Sequence, residues 1–238
     1  MSFDKVIIAL DFSNEADALK IVDDLGELVN FYKVGLELFC SSGPSIIKKL
    51  KSLDKKVFLD LKLHDIPNTV QKAAKVCLKY DVDLLTIHTI GGKKMLEAVT
   101  TLKKETNKTK IIGVTILTSL NEDDLNELGI NVSIPQIVKR LSFLAKDCNL
   151  DGVVASAQEV KFIKEICGKD FLVITPGIRP HNHSKDDQKR TVTADEAIAM
   201  GADFIVVGRA VTSSSTPKKA LMSLFAPKDK NVHSAWNQ

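Results

Sequence analysis

Short, almost continuously apolar runs alternate with helical patterns along the whole chain. Eight of them read as strands: VIIALD (6–11), FYKVG (31–35), KVFLDLK (56–62), LLTIH (84–88), KIIGVTIL (110–117), DGVVAS (151–156), FLVITPG (171–177) and FIVVGR (204–209). Near-unbroken apolar character is what parallel strands buried on both faces require. Between the runs, apolar residues recur at helical spacing. Residues 14–28 align Leu19, Val22 and Leu25 in one stripe, with Glu15 and Asp17 in the first turn. Residues 44–53 begin at Pro44 and turn Ile46, Ile47, Leu50 and Leu53 inward. The period returns with Met95, Val99 and Leu102, and again with Ile134, Ile137, Val138, Leu141 and Leu144. Further helices are expected at 68–80, 158–167, 194–200 and 217–225.

Eight strand–helix units in 238 residues predict an α/β protein of the (β/α)8 TIM-barrel class. One domain is expected over 1–238, with a polar, frayed tail over roughly 228–238 whose Trp236 can dock on the body. A doubly wound open sheet is the alternative. Its dinucleotide-binding form is disfavoured, because the first strand-to-helix turn, ALDFSNEA, has no GxGxxG.

Composition narrows the partners. Net charge is only +3, and no Lys/Arg block is interleaved with aromatics, so nucleic-acid binding is not expected as the main role. No apolar run approaches a membrane span, and MSFDKVIIALDF lacks the features of a signal peptide. Cys40, Cys77, Cys148 and Cys167 are widely spaced without a CxxC pair. Free core thiols in a reducing cytoplasm are the expectation.

The chemistry gathers at strand ends. In a barrel the active site lies at the C-terminal ends of the strands. Those ends here carry Asp11, Lys33, Asp60 with Lys62, His88, Thr118, Ser156, Arg179 and Arg209. Strand alternation puts Phe58, Asp60 and Lys62 on one face and Leu59, Leu61 and Leu63 on the other. The leucines suit helix packing, which aims Asp60 and Lys62 into the barrel mouth. An Asp60–Lys62 pair that only satisfies two half-buried charges is the plainer alternative. TPGIRP (175–180) and VGRAV (207–211) each set a glycine and an arginine just past the seventh and eighth strands, where barrels often bind phosphate. Glycine lets backbone N–H groups approach an anion, and arginine offers paired hydrogen bonds. Ordinary turn glycines with solvated arginines would read the same way. His181 and His183 sit in a polar loop, and no second ligand at metal spacing supports a zinc site.

DLKLHDIPNTV resembles the DxKxxDI signature of the orotidine 5′-monophosphate decarboxylases. The likeness spans nearly the whole chain, through ALDFS, FYKVG, VTILTSL, TPGIRP, DDQKR and GADFIVVGRAVT. One departure is GRAVT where the family pattern has GRPIT, a change that leaves Arg209 in place. The resemblance implies a cytoplasmic homodimeric lyase of pyrimidine biosynthesis that converts orotidine 5′-monophosphate to UMP without metal or organic cofactor. It implies that Asp11 and Lys33 hold ribose hydroxyls and that Lys33 also belongs to the charged network. Asp60 would lie beside the substrate carboxylate, with Lys62 the ammonium that protonates C6. Asp65, with Ile66 and Thr69, would reach into the partner subunit's site. Thr118 would contact the pyrimidine edge. Arg179, Arg209 and the backbone near Gly208 would bind the 5′-phosphate, and Gln188 would bridge phosphate and base. Magnesium-dependent sugar-phosphate decarboxylases or aldolases of similar barrels are the rival enzymes. They carry an acidic metal ligand where this chain has Lys33. A ribulose-phosphate epimerase would call for metal-binding His and Asp positions not found here. A phosphate-binding barrel without catalysis would have no need of the Asp60/Lys62/Asp65 charges.

Overall fold

A computed structural model describes residues 3–105, 108–178 and 192–225. Eight parallel strands close into a barrel in chain order: β1 (Val6–Ala9), β2 (Phe31–Val34), β3 (Lys56–Leu63), β4 (Leu84–His88), β5 (Lys110–Val114), β6 (Gly152–Val154), β7 (Leu172–Thr175) and β8 (Phe204–Val207). The expected (β/α)8 barrel is therefore the fold, and the open sheet is ruled out because β8 pairs with β1.

The outer layer comprises α1 (Glu15–Leu25), α2 (Leu36–Ser42), α3 (Ser45–Ser52), α4 (Pro67–Leu78), α5 (Lys93–Thr100), α6 (Glu122–Glu127), α7 (Ile134–Asp147), α8 (Val160–Cys167), α9 (Ala194–Ala199), α10 (Arg209–Thr212) and α11 (Pro217–Ser223). Local chemistry sets several starts. Asn14 caps α1 by accepting from the Asp17 N–H, and Thr193 with Glu196 forms a capping box on α9. Prolines open α4 and α11, where the missing N–H is harmless.

Two apolar cores follow from alternation along the strands. Ile7, Ala9, Phe31, Phe58, Leu84, Ile112, Ile174 and Val206 fill the barrel interior. The residues between them, such as Ile8, Tyr32, Leu59, Leu85 and Val173, join the larger core under the helices.

The N-terminal rim repeats one clamp three times. Asp83, Asp151 and Asp203 each immediately precede an even-numbered strand. Each accepts a backbone N–H from the preceding strand: Val57 at 2.8 Å, Ile111 at 2.9 Å and Val173 at 2.7 Å. Each also pairs with a lysine from the helical segment before that strand, namely Lys51, Lys103 and Lys164. These clamps tie neighbouring strands together at the rim opposite the face where barrel active sites lie.

The expected elements are all present, but several bounds move. The run 110–117 is strand only to Val114, and 204–209 only to Val207. Arg209 instead opens α10, because Gly208 turns the chain at φ −110° and ψ −119°. Helices α2, α6 and α10 were not expected; each has seven residues or fewer and shows little periodicity. Cys77, Cys148 and Cys167 are buried free thiols as anticipated, whereas Cys40 is exposed on α2. The polar tail, including Trp236, lies outside the described residues.

Candidate active site

The same alternation that fills the barrel sets its mouth. One step beyond Ala9, Phe31 and Phe58 on the interior face come Asp11, Lys33 and Asp60, and one further on β3 comes Lys62. These four form a continuous chain of alternating charge. Lys33 Nζ lies 2.8 Å from Asp11 Oδ1 and 3.8 Å from Asp60 Oδ2. Lys62 Nζ lies 2.7 Å from the same Asp60 Oδ2. Lys33 is 9% exposed and Asp60 7%. Burying such charges is tolerable because each has an opposite partner at contact distance.

The β3 backbone is distorted to reach this arrangement. Leu59 pairs with Leu85 and Leu63 with Ile87, so four steps along β3 face two along β4. Within this bulge Lys62 adopts φ +49°, a left-handed conformation that costs a lysine about 1 kcal/mol. Its amide is still satisfied, donating to Thr86 Oγ1 at 2.8 Å. Thr86 in turn donates to Asp60 Oδ1 at 3.0 Å. Strained backbone held by surrounding bonds is common where geometry serves a site.

A cavity of about 680 Å³ opens above these groups, a size suited to a nucleotide-scale ligand. Its wall includes Asp11, Lys33, Asp60 and Lys62 on one side and Thr118, Gly208 and Arg209 elsewhere around the rim. Pro176 and Gly177 complete the side next to β8. Gly177 has φ +81°, which glycine alone adopts without strain. The sequence-derived set thus converges in part. Asp11, Lys33, Asp60, Lys62, Thr118, Gly208 and Arg209 share one cavity. Arg179 and Gln188 fall outside the described residues, as do His181 and His183.

Two strand-end residues expected at the mouth do not line it. Ser156 is buried, with its N–H donating to Glu159 at 2.8 Å. His88 instead faces His64, their rings 5.5 Å apart. Burial holds the His88 pKa below its ordinary 6.5, and the neighbouring His64 and Lys62 push it the same way against the pull of Asp60.

Asp65, Ile66 and Thr69 stand apart from the cavity of their own chain. All three are exposed, Ile66 at 65%. Asp65 Oδ1 accepts the N–H of Ile66 at 2.6 Å just before α4 begins.

Sequence reasoning missed three contributors. Thr86 sits on the inward face of β4, two residues beyond Leu84, a parity that LLTIH displays once its interior face is known. Gly35 lies against the charge chain: a Cβ there would sit 2.7 Å from Lys33 Nζ and 3.1 Å from Asp11 Oδ1. Glu37, on the first turn of α2, lines the mouth because that unexpected helix puts it there.

A closed barrel with paired lysines and aspartates at its C-terminal mouth, beside Gly177 after β7 and Gly208 with Arg209 after β8, has the architecture of a (β/α)8-barrel enzyme. Comparison with known proteins makes the class specific. The chain belongs to the Orotidine 5′-phosphate decarboxylase / HUMPS family, whose model matches residues 4–224. It is 45% identical to the orotidine 5′-phosphate decarboxylase of Carboxydothermus hydrogenoformans over 235 residues, covering 97% of this chain and 98% of that one. The Nitrosomonas eutropha protein of the same name is 48% identical over 221 residues, covering 93% of this chain and 95% of its relative. Among solved structures, orotidine 5′-phosphate decarboxylase from Lactobacillus acidophilus superposes with a TM-score of 0.81 at 39% identity, covering 93% of this chain and 97% of that one.

Proposed function

We infer that the protein is a carboxy-lyase that converts orotidine 5′-monophosphate to UMP. The observation that carries this reading is the Asp11–Lys33–Asp60–Lys62 chain at the cavity floor, in a chain of this family. Decarboxylation breaks the C6–carboxylate bond and leaves its electron pair in the ring plane, where the pyrimidine π-system cannot delocalise it. A fixed ammonium meets that demand twice, as a preorganised positive charge and as a proton donor. Lys62 is assigned this role: its proton passes to C6 as CO2 departs, and the neutral amine recovers a proton from solvent.

Asp60 holds Lys62 in place and sets a carboxylate beside the departing one, so that loss of CO2 relieves repulsion. Lys33 and Asp11 bind ribose hydroxyls, and Thr118 meets the pyrimidine edge. Gly208 and Arg209, with Arg179 from the segment beyond Gly177, take the 5′-phosphate, and Gln188 bridges phosphate and base. Binding energy from that remote group can be used to lower the barrier at C6.

The family name also covers sugar-phosphate enzymes, and the notable discriminator is Lys33. Its ammonium stands between Asp11 and Asp60, where a magnesium-dependent relative needs an acidic ligand and where a divalent cation would be repelled. No group of three or more His, Cys, Asp or Glu suited to a metal occurs among the described residues.

The working unit in this reading is a homodimer, with Asp65, Ile66 and Thr69 completing the partner's site. Their exposure and distance from their own cavity support it. We place the enzyme in the cytoplasm, in keeping with its free thiols. No helix among the described residues is long and apolar enough to cross a membrane.

Purified protein mixed with orotidine 5′-monophosphate and excess EDTA should lose the substrate's ultraviolet absorbance and form UMP. Absence of turnover, or turnover only with added Mg²⁺, overturns the assignment. Mixing inactive Asp60→Ala and Asp65→Ala proteins tests the shared site. Recovered activity is expected, and none despite demonstrated subunit exchange refutes it.

A further inference from the structure

We propose that Thr86 is a positioning residue for the reaction, its hydroxyl holding both the Asp60 carboxylate and the Lys62 backbone in register. The inference rests on the decarboxylase reading only for its kinetic consequence; the positioning itself is geometric.

Thr86 is fully buried on the inward face of β4. A hydroxyl can donate one hydrogen bond while accepting another. Here it does both, and both partners belong to the charged segment of β3. It accepts from Lys62 N at 2.8 Å and donates to Asp60 Oδ1 at 3.0 Å. That leaves Asp60 Oδ2 to take the two ammonium groups, at 2.7 Å from Lys62 and 3.8 Å from Lys33. The hydroxyl therefore fixes the rotation of the Asp60 carboxylate about its own bond. A freely rotating carboxylate would exchange the oxygen that meets Lys62.

The second bond explains how the bulge survives. Between Leu59 and Leu63 the β3–β4 ladder slips, and a backbone amide in that interval loses its regular strand partner. Thr86 Oγ1 substitutes for the missing acceptor. Without it, the Lys62 N–H would lose its protein acceptor in a residue already at φ +49°. One side chain thus supports the strained backbone that carries the proton donor and orients the carboxylate that holds it. Misplacing a reacting group by about 1 Å can lower a rate by roughly 100-fold.

Three variants separate the hydroxyl from its packing. Thr86→Val keeps the shape and removes the hydroxyl; Thr86→Ser keeps the hydroxyl and removes the methyl; Thr86→Ala removes both. Thr86→Val is expected to lower kcat by about 10- to 100-fold with KM within about threefold, while Thr86→Ser stays within about threefold of wild type. A Thr86→Val enzyme with near-normal kcat overturns the proposal. So does a Thr86→Ser enzyme that falls as far as Thr86→Val.

Should Thr86→Val not fold, the Ser/Ala pair decides, since both variants lose the methyl and differ only in the hydroxyl. Ser should exceed Ala in kcat by about 10-fold or more, and equal rates refute the role. Hydrogen exchange of the Lys62 amide gives a readout that does not depend on turnover. It should stay protected in wild type and Thr86→Ser and lose protection in Thr86→Ala; protection unchanged in Thr86→Ala refutes the bond. A wild type that exchanges as expected but does not decarboxylate the substrate would count against the assigned reaction, not against the positioning.

Discussion

Replacing Gly35 with alanine should separate activity from stability. The residue ends the FYKVG run with φ −95° and ψ −172°, a backbone that alanine adopts without strain. On that ground alone the substitution should raise stability by about 0.4–1 kcal/mol through the unfolded chain. Its Cβ, however, would stand 2.7 Å from Lys33 Nζ. Ordinary contact is about 3.5 Å, so the ammonium must retreat by roughly 0.8 Å. The lysine end is flexible, and the retreat costs the fold little. It is not neutral for the site, because Lys33 now bridges Asp11 at 2.8 Å and Asp60 at 3.8 Å and cannot hold both after the shift. A displacement of that size corresponds to a loss of about 10- to 100-fold in kcat/KM. Turnover of orotidine 5′-monophosphate and a thermal melt, run on the same preparation, read the two effects. Expected is a melting temperature at or slightly above wild type with the activity loss. In a Lys33→Ala background, Gly35→Ala should cost far less, since only the 3.1 Å approach to the exposed Asp11 Oδ1 remains. Wild-type kcat/KM in Gly35→Ala, or an equal loss in the Lys33→Ala background, would refute the steric argument.

The opposite end of the barrel should show the converse. Asp203→Ala removes the acceptor for Val173 N–H and the partner of Lys164. A loss of about 1–3 kcal/mol in denaturant unfolding is expected with kcat unchanged; a collapse of kcat in a folded variant would contradict the separation of the two rims. His88 supplies a pH dependence. The fold holds its pKa below 6.5, through burial first and then the charges of His64 and Lys62, so the unfolded chain binds the proton more readily. Between that lowered value and 6.5 the unfolded state carries more protons, and stability rises with pH and falls as acid is added. His88→Gln should therefore lose less stability than wild type between about pH 7.5 and 5.5 in urea unfolding; equal losses would rule out His88 as the cause.

Much of this site was legible in the sequence because alternation is simple to read. Phe58, Asp60 and Lys62 share the inward face, with Leu59, Leu61 and Leu63 packed outward, as period two requires. That result holds even though the strand bulges between them, which no pattern of residue types announced. The bulge returns Lys62 to the inward side through a positive φ, so the final directions agree while the backbone path does not follow a regular strand. Thr86 and Gly35 escaped notice for a related reason. Neither residue type is unusual in a strand or a turn; each matters through what stands opposite it in a neighbouring strand. The strand read over 110–117 stops at Val114 although apolar Ile116 and Leu117 follow, and the strand read over 204–209 stops at Val207 because Gly208 turns the chain and Arg209 opens α10. Asp65 is the residue whose role least follows from one chain, since it is exposed and not among the described residues that line the cavity.

The most direct test of the mechanism is the rate of Lys62→Ala, measured beside its affinity for UMP and for uridine. Turnover should be abolished, while UMP still binds more tightly than uridine because Gly208 and Arg209, the phosphate ligands of the proposed site, are untouched. A Lys62→Ala enzyme that decarboxylates orotidine 5′-monophosphate at a near-normal rate would contradict the assignment of this ammonium as the proton donor.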